Sequence, residues 1–283
     1  FTAFTMSLIL GPPFIRYLKR KKATDLAWGY GLVNETGKSG TPTMGGLLIL
    51  ATIFISAVLW CDLGNRFIQI VLLAVVWFGA IGARDDFLKL KDNSKAGMSE
   101  RHKILFQGLF GVILSIVFMH PEWSPVPHEF ATKLYLPFVK NAVADLGMFY
   151  GLFITFVIIA ISNSVNLADG LDGLAIVPSF FVAAVFGAFA YVIGNTKISE
   201  YLLFDYMAGS GELLIFCAAF IGAGIGFLWF NAYPAQVFMG DTGSLALGGI
   251  LGTVSVLIKQ EFLFVIAGGI FVAEAATVFL TRY

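Results

Sequence analysis

The chain has 283 residues, of which 58% are hydrophobic and 13% are charged, where an ordinary soluble domain carries roughly a quarter charged residues. This composition excludes a soluble globular enzyme and describes an integral membrane protein. The 18 basic and 18 acidic residues cancel, so the charge balance gives no support to an acidic polymer as partner, and no nucleic acid is expected.

Apolar runs fall near 1–15, 43–61, 67–83, 104–119, 146–162, 174–194, 213–230, 245–258 and 262–280. A helix needs ~20 apolar residues to cross the hydrocarbon, so the nine runs read as nine spans, the shorter ones tilted or in a thinned bilayer. The ~10-residue polar/apolar alternation of a barrel strand is missing from the sequence, which makes the expected class all-α, a polytopic helical bundle. Glycine-rich patches such as "GAGIG" at 222–226 and "GGILG" at 248–252 let helices approach closely. No repeat or linker divides the chain, and residues 1–283 read as one domain. The chain opens inside the apolar "FTAFTMSLIL" and stops at "FLTRY"; both ends read as cut, with a tenth span expected beyond the second. Cys61 and Cys217 lie in or beside apolar runs without metal-ligand spacing and read as packing residues.

Basic loops stay on the cytoplasmic side. The loops at 11–42, 84–103, 163–173 and 231–244, with the C-terminal end, hold 13 of the 18 Lys and Arg residues. That set is therefore assigned to the cytoplasm. It also contains the polar clusters "NETGKSGTPTMGG", "RDDFLKLKDNSKAGMSERHK", "NSVNLADGLDG" and "NAYPAQVFMGDTGS", which places an active site at the cytoplasmic face.

Each cluster has a plain and a chemical reading. Asp85 and Asp86 end an apolar run and precede Lys89, Lys91, Lys95, Arg101 and Lys103. Adjacent carboxylates repel unless a cation compensates, so the pair suits a divalent ion or a proton acceptor; a solvated helix end with ordinary lysines is the alternative. Asn166, Asp169 and Asp172 recur every three residues and, if the segment is helical, share one side of a short helix. Gly170 and Gly173 leave room for a ligand beside them. Asp241 in "MGDTGS" sits in a glycine-rich helix start that suits phosphate oxygens and Mg²⁺, or is an ordinary N-cap. Glu274 lies inside the last apolar run, where a charge is costly and often functional. Several carboxylates and lysines on one face suit phosphoryl transfer between a soluble phosphate-rich substrate and a lipid, with Mg²⁺.

At this point "GTPTMGG" (40–46), "RDDFLK", "NSVNLADGLDGLA" and "GFLWFNAYPAQVFMGDTGSLALGG" (226–249) carry a resemblance over most of the chain. It resembles the phospho-N-acetylmuramoyl-pentapeptide transferases, within the polyprenyl-phosphate N-acetylhexosamine-1-phosphate transferase superfamily. The resemblance implies transfer of phospho-MurNAc-pentapeptide from UDP-MurNAc-pentapeptide to undecaprenyl phosphate, giving lipid I and UMP for peptidoglycan, with Mg²⁺ as cofactor. It also implies a homodimer among membrane lipid in the bacterial inner membrane. Asp85, Asp86 and Asp241 match the family's essential aspartates. Of these, Asp241 matches the metal ligand and Asp85 the base proposed for the lipid phosphate, in a mechanism drawn either as direct attack or through a covalent enzyme intermediate. Asn166, Asp169 and Asp172 match the motif beside the nucleotide, with Gly170, Leu171 and Phe238 around the uracil. Lys38, Thr43 and Asn231 match other lining positions, and Lys103 a lysine near the lipid phosphate. Three positions depart from the family pattern: Arg84 precedes the aspartate pair after Ala83, Ala96 replaces a lysine with Lys95 beside it, and Thr281 replaces a glutamine near the uracil. A related transferase using another UDP-sugar, such as UDP-GlcNAc, is the alternative. A secondary transporter is the distant one, since its carboxylates would sit near the bilayer midplane.

Overall fold

The computed structural model describes residues 1–21, 23, 40–91, 97–139, 141–170 and 172–282. In hydrocarbon the backbone must satisfy its own hydrogen bonds, and each apolar run accordingly forms helix. The helices are α1 (Thr2–Arg20), α2 (Gly46–Trp60), α3 (Arg66–Lys91), α4 (Glu100–Met119), α5 (His128–Ala131), α6 (Tyr150–Ala168), α7 (Ile176–Ile193), α8 (Thr196–Leu202), α9 (Glu212–Asn231), α10 (Gly240–Leu257), α11 (Leu263–Ala267) and α12 (Gly269–Arg282). Among the described residues, five helices are long and apolar enough to cross a membrane: α3, α4, α7, α9, and α6 with the 3₁₀ turn before it. Shorter apolar helices lie at Gly46–Trp60 and Gly269–Thr281.

Two features depart from the uniform bundle expected. The segment between α4 and α6 contains a minimal antiparallel pair, β1 (Lys133–Leu134) with β2 (Ala144–Asp145), registered Lys133 to Asp145 and Leu134 to Ala144. Four residues of strand carry no periodicity that a sequence could display. The last apolar run is broken at Gly268 into α11 and α12, where the Gly268 N–H closes a bond to the Phe264 carbonyl at 2.7 Å.

At the centre stands α10, with Thr242 through Leu257 all buried. It packs against α2, α3, α6 and α7. Small residues make this enclosure possible. A methyl group at Gly82 of α3 would lie 2.2 Å from the Asp241 carbonyl oxygen, and one at Gly248 of α10 would lie 2.7 Å from the Ser162 Cα on α6. The backbones therefore touch where a larger side chain would separate them.

The two ends of α10 carry different chemistry. Its N-terminal turn holds Asp241. Beyond its C-terminus lies a buried Lys259, whose ammonium donates to the Ala131 carbonyl (3.1 Å), sits 3.5 Å from the centre of the Tyr150 ring and 4.0 Å from Glu261. The Tyr150 hydroxyl in turn donates to Glu261. Burial pushes the Lys259 ammonium down to about 8, with Glu261 and Asp145 resisting the shift.

Candidate active site

Asp85 and Asp86 lie in the last turns of α3, both buried, one exposed by 0% and the other by 3%. Adjacent residues on a helix project about 100° apart, and the two carboxylates take different partners. Asp86 Oδ1 accepts the Asp241 N–H (3.1 Å), and Oδ2 accepts the Thr242 N–H (2.9 Å) and hydroxyl (2.6 Å). These N–H groups open α10, whose own N-cap residue supplies no side-chain bond. Asp86 thus caps α10 from another helix, a carboxylate against a helix N-terminus. The ordinary N-cap reading of Asp241 fails for the same reason: the cap comes from α3.

Asp85 faces the lysines. Its Oδ1 accepts the Met98 N–H (2.7 Å) and lies 3.0 Å from the Lys103 ammonium. Its Oδ2 lies 2.8 Å from the Lys89 ammonium without hydrogen-bond alignment, so charge compensates that oxygen rather than a directed donor. The same two lysines reach Asp241: Lys89 is 3.0 Å from Oδ1, and Lys103 donates to Oδ2 at 2.7 Å. Asp85, Lys89, Asp241 and Lys103 therefore alternate in sign around a closed ring. Burying such charges is costly unless each is compensated, and the ring compensates all four. Asp85 is sealed, whereas the side chains of Lys89, Lys103 and Asp241 are 30%, 15% and 16% exposed. The ring thus opens on the lysine and Asp241 side.

Asp85, Asp86 and Asp241 each offer an oxygen within 4.8 Å of the others, a group that could hold a metal ion. Hard carboxylate oxygens suit Mg²⁺.

The remaining polar segments adjoin this cluster. Asn166, on the last turn of α6, accepts the Ser244 hydroxyl of α10 at 2.6 Å. The 40–45 segment is bonded to the start of α10 by Phe238 N–H to Pro42 (2.8 Å), Gly45 N–H to Phe238 (2.8 Å) and Gly46 N–H to Met239 (2.8 Å). This puts buried Thr43 beside Gly240, where an added methyl group would meet its hydroxyl at 2.8 Å. Asn231 accepts the Gly173 N–H (3.0 Å) and donates to the Val237 carbonyl (2.9 Å), joining the loop after α6 to the loop after α9. Asp172 accepts the Ala235 N–H at 3.4 Å in the same junction. Four chain segments thus meet at one surface.

One sequence expectation is corrected. Asn166, Asp169 and Asp172 do not share a helix: α6 ends at Ala168, Asp169 follows as its C-cap, and Gly173 takes φ +76°. Asp172 therefore reaches the Asn231 junction from a loop, and Gly173 after it permits the left-handed conformation there. Exposed Gly170 has no atom within 4 Å of an added methyl position, open space beside the site. Lys38, Leu171, Lys95 and Ala96 lie outside the described residues. Arg84 is exposed, and among the described residues the cations against the aspartate pair are Lys89 and Lys103. Thr281 is exposed and bonded back to Thr277 in its own helix.

Sequence reasoning did not single out Lys89, Thr242 and Ser244 as site residues. Lys89 was within reach, since it stands four residues after Asp85 on one helix face. Thr242 and Ser244 flank Asp241 in the quoted motif, but their partners are set by tertiary contact.

Two comparisons bear on this arrangement. A family profile described as glycosyl transferase family 4 matches residues 68–259, more than half of the chain and all of the helices that carry the charged ring. Residues 38–50 match phospho-N-acetylmuramoyl-pentapeptide-transferase signature 1, in the segment that packs against the start of α10. The chain belongs to glycosyl transferase family 4 and carries the phospho-N-acetylmuramoyl-pentapeptide-transferase signature.

Proposed function

We propose that this protein transfers phospho-MurNAc-pentapeptide from UDP-MurNAc-pentapeptide to undecaprenyl phosphate, forming lipid I and UMP. The observation that carries the reading is the ring of Asp85, Lys89, Asp241 and Lys103 beside capped Asp86, in a chain bearing the pentapeptide-transferase signature. In the reaction an oxygen of the lipid phosphate forms a new bond to the sugar-bearing phosphorus, and the bond to UMP breaks. Such transfer depends on positioning and on neutralising charge at the transferring phosphoryl group.

Lys89 and Lys103 are the mobile cations of the site, each able to exchange a carboxylate for a phosphate oxygen. Lys103 takes the lipid phosphate. Asp85, sealed behind the lysines, takes a proton from that phosphate and holds it. Asp86 fixes the first turn of α10 and thereby the position of Asp241. Asn166, Asp169 and Asp172 lie toward the nucleotide, with Phe238 and the open space at Gly170 beside the base, and Thr43 and Asn231 line the approach. Asp241, with Asp85 and Asp86 as neighbouring oxygen donors, would hold a Mg²⁺ ion, and the ion would supply charge neutralisation on the diphosphate.

The site lies at the cytoplasmic face of the bacterial inner membrane in this proposal, supported by the basic residues concentrated in the same loops. Nine crossings and a homodimer belong to the same proposal; the second rests on family resemblance alone. The test is UMP release from UDP-MurNAc-pentapeptide by the full-length protein with undecaprenyl phosphate and Mg²⁺. Release with UDP-GlcNAc and none with the MurNAc substrate would assign a different sugar.

A further inference from the structure

One turn below Lys103 on α4, on the same face and about 40° round, lies Gln107. Its side chain is fully buried, with 0% exposure. The amide nitrogen donates to the Ser162 hydroxyl of α6 at 3.2 Å, and the amide oxygen accepts from Asn163 of α6 at 2.8 Å. The Ser162 hydroxyl in turn donates a hydrogen bond to the Leu245 carbonyl of α10 at 2.9 Å. One amide therefore ties α4, α6 and α10 together directly beneath the charged ring. Each of these helices carries a site residue about one turn above the tie: Lys103 on α4, Asn166 on α6 and Asp241 on α10.

Helices in lipid gain nothing from hydrophobic association with one another, so packing and interhelical hydrogen bonds set their register. Among the described residues the other bond between α4 and α6, from the Ser115 hydroxyl to the Gly151 carbonyl (2.9 Å), lies farther from the ring. A small rotation or slide of α4 would move the Lys103 ammonium out of its two contacts, at 3.0 Å to Asp85 and 2.7 Å to Asp241.

We infer that Gln107 is a positioning residue: its amide fixes α4 against α6 and α10 and thereby holds Lys103 between Asp85 and Asp241. The residue touches no reacting atom. Its functional consequence rests on the role proposed for Lys103, but its effect on the position of Lys103 does not.

The test uses Gln107→Leu in the full-length protein. Asn163 retains its bond to the Ile159 carbonyl (2.8 Å) and Ser162 its bond to Leu245, so the fold has the means to survive. Asn163→Ala cuts one of the two bonds of the tie, leaving that to Ser162, and serves as the second, milder variant. The first readout is labelling of individual lysines by an amine-reactive acetylating reagent, followed by mass spectrometry. Lys103 should label several-fold faster in both variants, with Lys89 and the outlying Lys197 unchanged. The double variant should go no further than Gln107→Leu alone, which already removes both bonds. The second readout is turnover: a fall of about tenfold, the lower end for loss of a supporting partner, that disappears when Lys103→Ala is already present. Unchanged labelling at Lys103 overturns the inference. So does a faster reaction at all lysines with a lowered thermal midpoint, which marks general loosening. If Lys103 labels faster but the unmodified protein releases no UMP, the positioning role stands and the proposed reaction falls.

Discussion

Asp86 on α3 receives both the backbone N–H and the hydroxyl of Thr242 on α10, at 2.9 and 2.6 Å. Both groups are buried, so the hydroxyl bond is made to a carboxylate that water does not solvate. Thr242→Val keeps the shape and removes one donor. The expected cost is about 1–3 kcal/mol, the range for a buried group losing a partner. It should appear as a lower thermal midpoint in detergent, accompanied by reduced turnover because the Asp241 turn is less firmly held.

Asp241→Asn keeps the size of the side chain while taking one negative charge from the ring. Lys89 and Lys103 then share Asp85 alone between them. Turnover should fall by more than about 100-fold, beyond the usual cost of losing a mere supporting partner, with a lower thermal midpoint because two partly buried lysines keep a single counter-charge. Addition of Mg²⁺ should no longer stimulate what remains. Ordinary turnover at ordinary Mg²⁺ would remove Asp241 from the metal role.

Lys103→Ala leaves Lys89 to bridge Asp85 and Asp241 alone. Kinetics measured with each substrate varied in turn should show KM rising chiefly for undecaprenyl phosphate. A selective loss of affinity for the nucleotide would reassign the lysine.

Lys259 provides a pH signature at the other end of α10. Its ammonium titrates at about 8 when folded and near 10.4 in an unfolded chain. Between these values the unfolded state binds more protons, so stability rises with pH through the window, by up to ~1.4 kcal/mol per unit. The thermal midpoint should increase from about pH 8 to pH 10 by this contribution, and Lys259→Met should remove it. A falling midpoint that is unaffected by the substitution would contradict the assignment.

The apolar runs made the helices legible, because a run that must satisfy its own backbone in lipid has few other options. The carboxylates of the site were legible too: Asp85, Asp86 and Asp241 stand out against their apolar surroundings. Their division of labour was not. Asp85 and Asp86 are equivalent in the sequence, and only the approach of α10 assigns one to a helix N-terminus and the other to two lysines. Periodicity also misled at Asp169 and Asp172, where a three-residue spacing suggested a helix although α6 ends at Ala168. Gln107 sits within an apolar run that also holds Ser115, and its meaning depends on helices more than fifty positions away.

The order of the elements along the chain has a consequence for synthesis. The helices around α10, namely α2, α3, α6 and α7, all precede it. The ribosome therefore delivers a socket first and its occupant afterwards. A nascent chain halted before residue 240 would present Asp86 with no amide to receive and Lys103 with one counter-charge in place of two. The charged ring is therefore completed only once this one glycine-rich segment has taken its place among helices made before it.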